Sequence, residues 1–173
     1  FRTSLPHPCR RAFLLETVRI GQTFLLIGDG DEKELTPEDA SRYLRWIITE
    51  KGARITDCDR TFEGAMEIPS ALDGVPVVEI GAWAFLGRDL LKRIVIPDSV
   101  EIVGKTAFAS CRGLQELRLG TGIKKIEKSA FCNCSSLKSV AIPDSVEAVG
   151  ATAFASCYGL KELRLGTGIK KIE

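Results

Sequence analysis

Few side chains in this 173-residue chain have the types and spacing that catalysis or metal binding requires. The one histidine, His7, lies two residues before Cys9, but no neighbour in the sequence would orient either as a base or a nucleophile. Cys132 and Cys134 form a Cys-x-Cys pair, which lacks the second pair of ligands that a zinc site needs. No phosphate loop, metalloprotease helix or nucleophile elbow is present. We therefore predict no catalytic residue, no metal site and no cofactor, and expect that the protein is not an enzyme.

An acidic run near the N-terminus also has to be considered as a cation site. Gly28-Asp29-Gly30-Asp31-Glu32 carries three carboxylates within five residues. It lacks the spaced ligands and the distal glutamate of a calcium-binding EF-hand loop. Its glycines and aspartates are typical of a solvated turn, which is the interpretation we adopt.

Three of the six cysteines, Cys111, Cys134 and Cys157, recur at an interval of 23 residues. If the chain stacks with that period, equivalent positions lie about 4.7–4.9 Å apart, which is the spacing of neighbouring strands. That spacing is close to the disulfide range, but three residues in one column cannot all pair. We expect a column of buried free thiols that behave as small hydrophobic side chains.

Composition excludes several classes of function. The formal net charge is +1, from 24 Lys and Arg against 23 Asp and Glu, which is not the charge of a nucleic-acid or anionic-membrane binder. Hydrophobic residues make up 45% and charged residues 27%, which are ordinary values for a globular protein. No apolar run approaches the roughly 18–20 residues that span a bilayer. The chain begins with Phe1 rather than Met, as expected of a processed or cut N-terminus.

The elements that would position any functional side chain are repeats. Residues 97–127 and 143–173 differ at only four of 31 positions, namely Ile102/Ala148, Lys105/Ala151, Arg112/Tyr158 and Gln115/Lys161. Their offset is 46 residues, and apolar residues recur at half that interval, as in the series Phe85, Phe108, Phe131, Phe154 and the series Leu91, Leu114, Leu137, Leu160. A fixed period between 20 and 50 residues indicates a solenoid, in which each coil buries its apolar face against its neighbours.

Each coil is predicted to contain one strand, a turn and a short compact segment. Alternation places Leu117 and Leu119 inward and Glu116 and Arg118 outward on a strand at 116–119. Ser129–Cys134 is too short for a long helix, so we predict one helical or 3-10 turn there. Ile123 and Ile126 would fill the next side of the coil.

The N-terminal part lies outside the repeat. Phe13–Leu15 and Phe24–Ile27 favour short strands, and Thr36-Pro37-Glu38-Asp39 is typical of a helix start that runs to about Leu44. Arg45–Thr49 and Ala53–Thr56 favour a β-hairpin, with a helix continuing to Glu50 as the alternative. We predict an N-terminal segment and cap at 1–60, and at 61–173 a solenoid of four to five coils whose last coil is incomplete, with a five-residue insertion within 70–76.

These residues resemble a known family. Leu114-x-x-Leu117-x-Leu119 followed by Ile123, Ile126, Ala130-Phe131 and Cys134 is similar to the BspA-type (Treponema-type) leucine-rich repeat, and so is residues 142–165. The resemblance covers about residues 46–173. Arg88 stands where the first repeated Cys is expected, and Glu127 and Glu173 replace Gly.

The resemblance implies a right-handed leucine-rich-repeat superhelix, an α/β solenoid with a parallel sheet on its concave face and short helical or 3-10 turns opposite. It also implies an extracytoplasmic bacterial protein, secreted, periplasmic or at the cell surface, that binds a host or cell-surface protein in adhesion or recognition.

The candidate binding surface consists of the outward positions of the predicted sheet. One column holds Arg93, Glu116, Ser139 and Glu162, and its neighbour holds Val95, Arg118, Ala141 and Arg164. Spaced charges around small residues suit a protein partner, and the alternative is that they only keep the sheet soluble. A further column, Glu101, Lys124, Glu147 and Lys170, alternates in sign and is interpreted as structural.

The C-terminal end of the repeat offers a second candidate surface. Residues 143–173 stop before the Ala-Phe segment that would follow, so an apolar edge of Leu163, Leu165, Ile169 and Ile172 is expected to be open. A truncated chain, a longer solenoid and self-association into a homo-oligomer remain alternatives. The function that the sequence favours is a protein-binding module, and the alternative is an assembly module that uses this edge.

Overall fold

The computed structural model describes residues 40–172, and nearly all of the regular structure in them is β-strand. The strands are β1 (Leu44–Thr49), β2 (Gly52–Cys58), β3 (Gly64–Glu67), β4 (Ala71–Leu72), β5 (Val75–Ile80), β6 (Leu91–Val95), β7 (Ile102–Val103), β8 (Glu116–Arg118), β9 (Lys125–Ile126), β10 (Ser139–Ala141), β11 (Ala148–Val149), β12 (Glu162–Arg164) and β13 (Lys171–Ile172). Ala40 and Ser41 have helical backbone just before β1.

The strands form two sheets along one solenoid. The first sheet has the order β3-β6-β8-β10-β12, and all of its pairings are parallel. The second sheet has the order β1-β2-β5-β7-β9-β11-β13, with β4 paired to β5. Successive partners from β6 onward lie 23 residues apart, as in Arg93 opposite Glu116, so each coil adds one strand to each sheet. The predicted solenoid of 23-residue coils with a parallel sheet is confirmed.

The second sheet was not predicted as a sheet. Ile123 and Ile126 line the core as expected, but β9 pairs in register with β7 and β11 on either side. Its strands from β7 onward are only two residues long, and two residues show no alternation that sequence reasoning could detect.

The predicted helical or 3-10 turn is wrong for the segment that follows each second-sheet strand. Thr106 and Ser110 have positive φ values of 59° and 59°, which a right-handed helix does not allow. The Phe108 N–H donates to the Ala130 carbonyl of the next coil at 2.7 Å, whereas Cys111 N–H donates to the Phe108 carbonyl at 3.3 Å. Alternate amides of the segment donate to carbonyls of the neighbouring coil. The segment therefore consists of tight turns that are hydrogen-bonded to the next coil.

The core is a set of columns that run along the stack. Phe85, Phe108 and Phe131 are fully buried, and their rings stack with centroids 4.6 and 5.1 Å apart. Phe154 extends the stack at 5.3 Å from Phe131. Offset aromatic pairs add about 0.5–1.5 kcal/mol each beyond the area they bury. The repeated Phe therefore fixes the spacing of the coils as well as filling their interior.

Alternate coils differ because their turns fit together. A Cβ atom at Gly122 would collide with the backbone carbonyl of Asp98 in the preceding coil, and one at Gly168 would collide with that of Asp144. Only glycine permits so close an approach of two backbones. The Pro-Asp-Ser turn of one coil thus requires the Gly-Thr-Gly turn of the next, which explains why the sequence repeats over 46 residues.

At the N-terminal end of the solenoid, β1 and β2 form an antiparallel hairpin, and β2 pairs in parallel with β5. The alternative of a helix that continues to Glu50 is wrong, because β1 covers Leu44–Thr49. The insertion forms a small hairpin in which Ala71 pairs with Pro76. The helix start at Thr36, the strands at 13–15 and 24–27 and the acidic turn lie outside the described residues. The division at residue 60 stays a prediction.

Candidate functional site

The outer face of the first sheet brings the eight predicted positions into two straight columns. Arg93 pairs with Glu116, Glu116 with Ser139, and Ser139 with Glu162. In the neighbouring column Val95 pairs with Arg118, and Ala141 with Arg164. We call these eight residues the sheet face. Strand β3 extends the columns by Ala65 and Glu67, which lie opposite Arg93 and Val95.

Ion pairs within the sheet face hold its arginines in place. Glu116 Oε1 lies 3.3 Å from Arg118 Nε and 3.5 Å from Arg93 Nε, and Glu162 Oε1 lies 2.6 Å from Arg164 Nε. The sequence predicted the columns but not these pairs, because two of the three join residues of the same strand. The side chains of Arg118 and Arg164 are largely solvent-exposed, so the pairs are weak and either arginine can turn to a new partner.

A shallow groove lies over β10 and β12 on the sheet face. It has a volume of about 200 Å³ and is lined by Ser139, Val140, Ala141, Glu162 and Arg164. The small side chains of β10 leave this space beside the larger side chains of β12. The predicted arrangement of two arginines on either side of Ala141 is therefore present in the structure.

The alternating charge column lies immediately before the second-sheet strands β7, β9, β11 and β13, and its charges pair as the sequence suggests. Lys124 Nζ is 3.1 Å from Glu101 Oε1, and Lys170 Nζ is 3.1 Å from Glu147 Oε2. Both pairs are about half to two-thirds exposed, and exposed pairs contribute only about 0.2–1 kcal/mol each. This column supports coil register weakly.

The residues of the predicted C-terminal edge are open to solvent, with Ile169 the most covered of them. Leu163 is 42% exposed, Leu165 56% and Ile172 70%, while Ile169 is half-buried and packs against the core. The equivalent residues one or two coils earlier, such as Leu117 and Ile126, are buried. The exposure follows from position, since among the described strands β12 and β13 each pair on one side only.

The repeated cysteines form a hydrogen-bonded column of free thiols. Cys111, Cys134 and Cys157 are buried and free, and their Sγ atoms lie 2.9, 3.2 and 3.2 Å from the carbonyl oxygens of Phe85, Phe108 and Phe131. The prediction of buried free thiols is confirmed for these three residues. Each thiol satisfies a carbonyl that faces the interior of the solenoid.

Burial sets the acidity of the thiols. Desolvation raises the pKa of Cys58 and of Cys111 to about 12. A hydrogen bond between Cys134 and Cys157 raises the pKa of Cys134 and lowers that of Cys157 to about 7.

Two aspartates have pKa values shifted by backbone contacts. Asp98 Oδ1 accepts a hydrogen bond from the Thr121 N–H at 2.7 Å, and Asp144 Oδ1 accepts one from the Thr167 N–H at 2.7 Å. These donors favour the charged carboxylates and lower both pKa values below the ordinary range for aspartate. The two residues connect successive coils.

Arg88 occupies the position of the first cysteine in the column, and its role was not predicted. Its side chain is 7% exposed, and it donates from Nε to the Cys58 carbonyl, from Nη1 to the Leu86 carbonyl and from Nη2 to Asp57 Oδ1. The sequence signal was the break in the cysteine period at residue 88. Arg88 joins the hairpin to the first regular coil.

The described residues contain no cluster of three or more His, Cys, Asp or Glu side chains able to hold a metal ion. Cys132 is half-buried, and Cys134 is buried in the thiol column with its Sγ donating to the Phe108 carbonyl. His7 and Cys9 lie outside the described residues. The geometry of the described part is that of a stacked scaffold with a charged sheet face.

Comparison with known proteins identifies the family. A family model described as "BspA type Leucine rich repeat region (6 copies)" matches residues 61–173. The chain belongs to the BspA-type leucine-rich-repeat family. The predicted resemblance is thereby confirmed, and leucine-rich-repeat proteins generally mediate protein–protein interaction. No curated protein matches the chain significantly.

Solved structures of bacterial leucine-rich-repeat proteins share the fold. The leucine-rich-repeat protein of T. pallidum is 32% identical with a TM-score of 0.74, and the match covers 81% of this chain and 64% of that one. A leucine-rich-repeat protein of Bacteroides capillosus is 28% identical with a TM-score of 0.65, covering 71% and 94%. A leucine-rich cell surface protein of Faecalibacterium prausnitzii, 24% identical over 70% and 38% with a TM-score of 0.56, shows the fold alone.

The BspA-type chain thus spans 64% of the length of the T. pallidum protein. Among its described residues, no helix has the length and apolar character needed to cross a bilayer.

Proposed function

We propose that this BspA-type chain is a non-enzymatic protein-binding module that engages its partner on the sheet face. The observation that carries the proposal is the register of the eight outward positions, which places charged and small side chains in two parallel columns. Such a surface is rigid, because each strand is held by backbone hydrogen bonds and by the buried columns beneath it. A rigid surface loses little conformational entropy when it binds.

Outward side chains of alternating size on successive strands give the sheet face its shape. Strands β8 and β12 both read Glu-Leu-Arg, whereas β10 between them reads Ser-Val-Ala. Large charged pairs therefore border a low strip of small side chains and the groove of about 200 Å³. A protein segment laid across the coils would contact the charges at two points and pack on the strip between them.

The test is a binding assay against a panel of purified extracellular-matrix and serum proteins, followed by two matched variants. The first replaces Glu116, Arg118, Glu162 and Arg164 with Ala. The second replaces the four exposed charges Glu101, Lys124, Glu147 and Lys170 of the alternating charge column with Ala. We expect the first variant to lose at least about tenfold in affinity and the second to bind normally. Equal affinity of both variants and the parent would refute the sheet-face site.

We extend the proposal to adhesion or recognition of a host protein by an extracytoplasmic protein. Membership of the BspA-type family supports it, since the family resemblance implies an extracytoplasmic bacterial protein. Protease shaving of intact source cells tests the location, with an antibody against this chain as the probe. Loss of the signal without lysis is the expected result, and a fully protected protein would contradict it.

A second candidate function is assembly through the apolar edge formed by Leu163, Leu165, Ile169 and Ile172. Their exposure and the open strands β12 and β13 support packing of another coil there, from a longer solenoid or from a second copy. Light scattering over a hundredfold range of concentration tests self-association. A monomer at all concentrations would oppose it, and a dimer that Leu165→Lys dissociates would support it.

A further inference from the structure

The surface around the sheet face carries more cations than carboxylates. The residues that immediately precede the first column of the sheet face in the sequence form another stacked series, Lys92, Gln115, Lys138 and Lys161. Backbone hydrogen bonds hold it in register, from Gln115 N to Lys92 O at 2.8 Å, from Lys138 N to Gln115 O at 3.3 Å and from Lys161 N to Lys138 O at 2.9 Å. This third column, which we call the lysine column, borders the sheet face along its whole length.

Counting charges over this surface gives a clear excess of cations. The cations are Lys92, Arg93, Arg118, Lys138, Lys161 and Arg164, and the carboxylates are Glu67, Glu116 and Glu162. Six against three leaves three positive charges, whereas the whole chain carries a formal net charge of +1. The rest of the chain therefore has a negative formal net charge, so this surface differs in sign from the remainder.

The carboxylates of this surface are largely neutralised by its own arginines. Glu116 contacts Arg93 and Arg118, and Glu162 contacts Arg164. Among the described residues, no ion pair joins any of the three lysines of the lysine column to a carboxylate, and Lys138 Nζ reaches only the Gln115 side chain, at 3.4 Å. Three ammonium groups thus remain available to a partner.

The shape of the surface favours a protein segment as the source of the opposite charge. Ser139 and Ala141 form a low strip of small side chains on β10, between the charged strands β8 and β12, and the groove that they help to line has a volume of about 200 Å³. A segment with acidic residues spaced by small ones can place carboxylates on the lysines and arginines while its small residues pack on the strip.

We propose that the partner of this surface is an acidic, extended protein segment. The inference rests on the proposed function and adds the chemistry of the ligand. Electrostatic attraction of this kind raises the rate of association and weakens as salt is added. The lysine column supplies the attraction, and the arginines of the sheet face supply oriented hydrogen bonds to carboxylates.

The experiment is selection from a random peptide library displayed on phage, using the full chain as bait at low ionic strength. We expect enriched peptides to carry a net negative charge and the best synthetic peptide to lose about tenfold or more in affinity between 50 and 500 mM NaCl. Lys92, Lys138 and Lys161 replaced together by Gln should give a similar loss. The matched control is a variant in which Gln replaces Lys124, Lys128 and Lys170 together, and it should keep the affinity of the parent.

The outcomes separate the two proposals. Enriched peptides that need the sheet face but are neutral or basic would overturn the acidic partner and leave the proposed function standing. Peptides whose binding survives replacement of Glu116, Arg118, Glu162 and Arg164 would overturn the sheet-face site itself. A sulfated polysaccharide that competes for this surface more tightly than any acidic peptide would overturn the choice of a protein segment.

Discussion

The Nε atom of Arg88 lies 2.7 Å from the carbonyl oxygen of Cys58, which joins the first regular coil to the end of the hairpin strand β2. In later coils the equivalent position is a cysteine whose thiol reaches a carbonyl of the preceding coil. At Arg88 the acceptor is instead the Cys58 carbonyl at the end of the hairpin. A longer side chain with several donors is needed to reach it, and Arg88 meets that need.

Replacing Arg88 with Ala should lower the free energy of unfolding by about 2–4 kcal/mol, because the carbonyls of Cys58 and Leu86 would lose their donor inside the protein. Asp57→Asn should cost about 1 kcal/mol or less, since Asp57 is 44% exposed and water can replace the lost ion pair. Urea unfolding monitored by circular dichroism measures both. A cost for Arg88→Ala no larger than that for Asp57→Asn would show that the buried hydrogen bonds contribute little.

The stacked rings make a second prediction. Phe131→Ala should reduce the free energy of unfolding by about 3–5 kcal/mol, because Phe131 is fully buried between Phe108 and Phe154. Phe154→Ala serves as the matched comparison and should cost clearly less, since Phe154 is only partly buried. Equal losses for the two variants in urea titrations would show that the partial exposure of Phe154 does not reduce its contribution to stability.

Thiol labelling offers a third prediction. At pH 8 the raised pKa values of Cys58 and Cys111, both about 12, leave only about one thiolate in 10⁴. Iodoacetamide should therefore modify the half-buried Cys132 well before Cys58 or Cys111, whose side chains water scarcely reaches. Mass spectrometry of peptides assigns the sites. All of these thiols should react in guanidinium, and rapid native labelling of Cys111 would contradict the structure.

The turn aspartates predict how stability depends on pH. The pKa values of Asp98 and Asp144 are lowered by hydrogen bonds from Thr121 and Thr167, so their contribution is present above the unfolded value of about 4 and is lost as pH falls through the folded value. The variant with Asp98→Asn and Asp144→Asn should lose less stability than the parent between pH 5 and pH 2. Asp73→Asn, in the exposed turn after β4, should behave like the parent.

How much of this could be predicted differs between the sheets and the turns. The recurrence of Phe108 and Leu114 every 23 residues was enough to predict the coils, and the alternation around Leu117 was enough to orient Glu116 and Arg118. These patterns reflect burial, because buried positions carry apolar residues whose spacing can be seen in the sequence. The family match follows from the same residues.

The turns could not be predicted because their conformation depends on the neighbouring coil. Thr106 and Ser110 adopt positive φ values that such residues seldom adopt in isolation. Hydrogen bonds from Thr106 N to Lys128 O and from Ser110 N to Cys132 O hold them in that conformation. Local propensity therefore favoured a helical turn, and contacts between coils overrode it.

The candidate site was predicted as a set of positions, and the side-chain arrangement was not. Register follows from the repeat, but the rotamers that join Glu116 to both Arg93 and Arg118 depend on three flexible side chains. The role of Arg88 was missed for the same reason, since its partners Cys58 and Leu86 are set by the shape of the hairpin. That the sheet face binds a partner stays a prediction.

The backbone hydrogen bonds that join each turn segment to the next coil have a mechanical consequence. The hairpin and the β12–β13 edge lie at opposite ends of the stack, so tension applied between them would pull perpendicular to every strand. Hydrogen bonds between adjacent coils that are loaded in this direction break a few at a time, starting at one end of the stack. Each released coil of 23 residues would lengthen the chain by about 80 Å at full extension, and the module would yield in even steps under load instead of failing all at once.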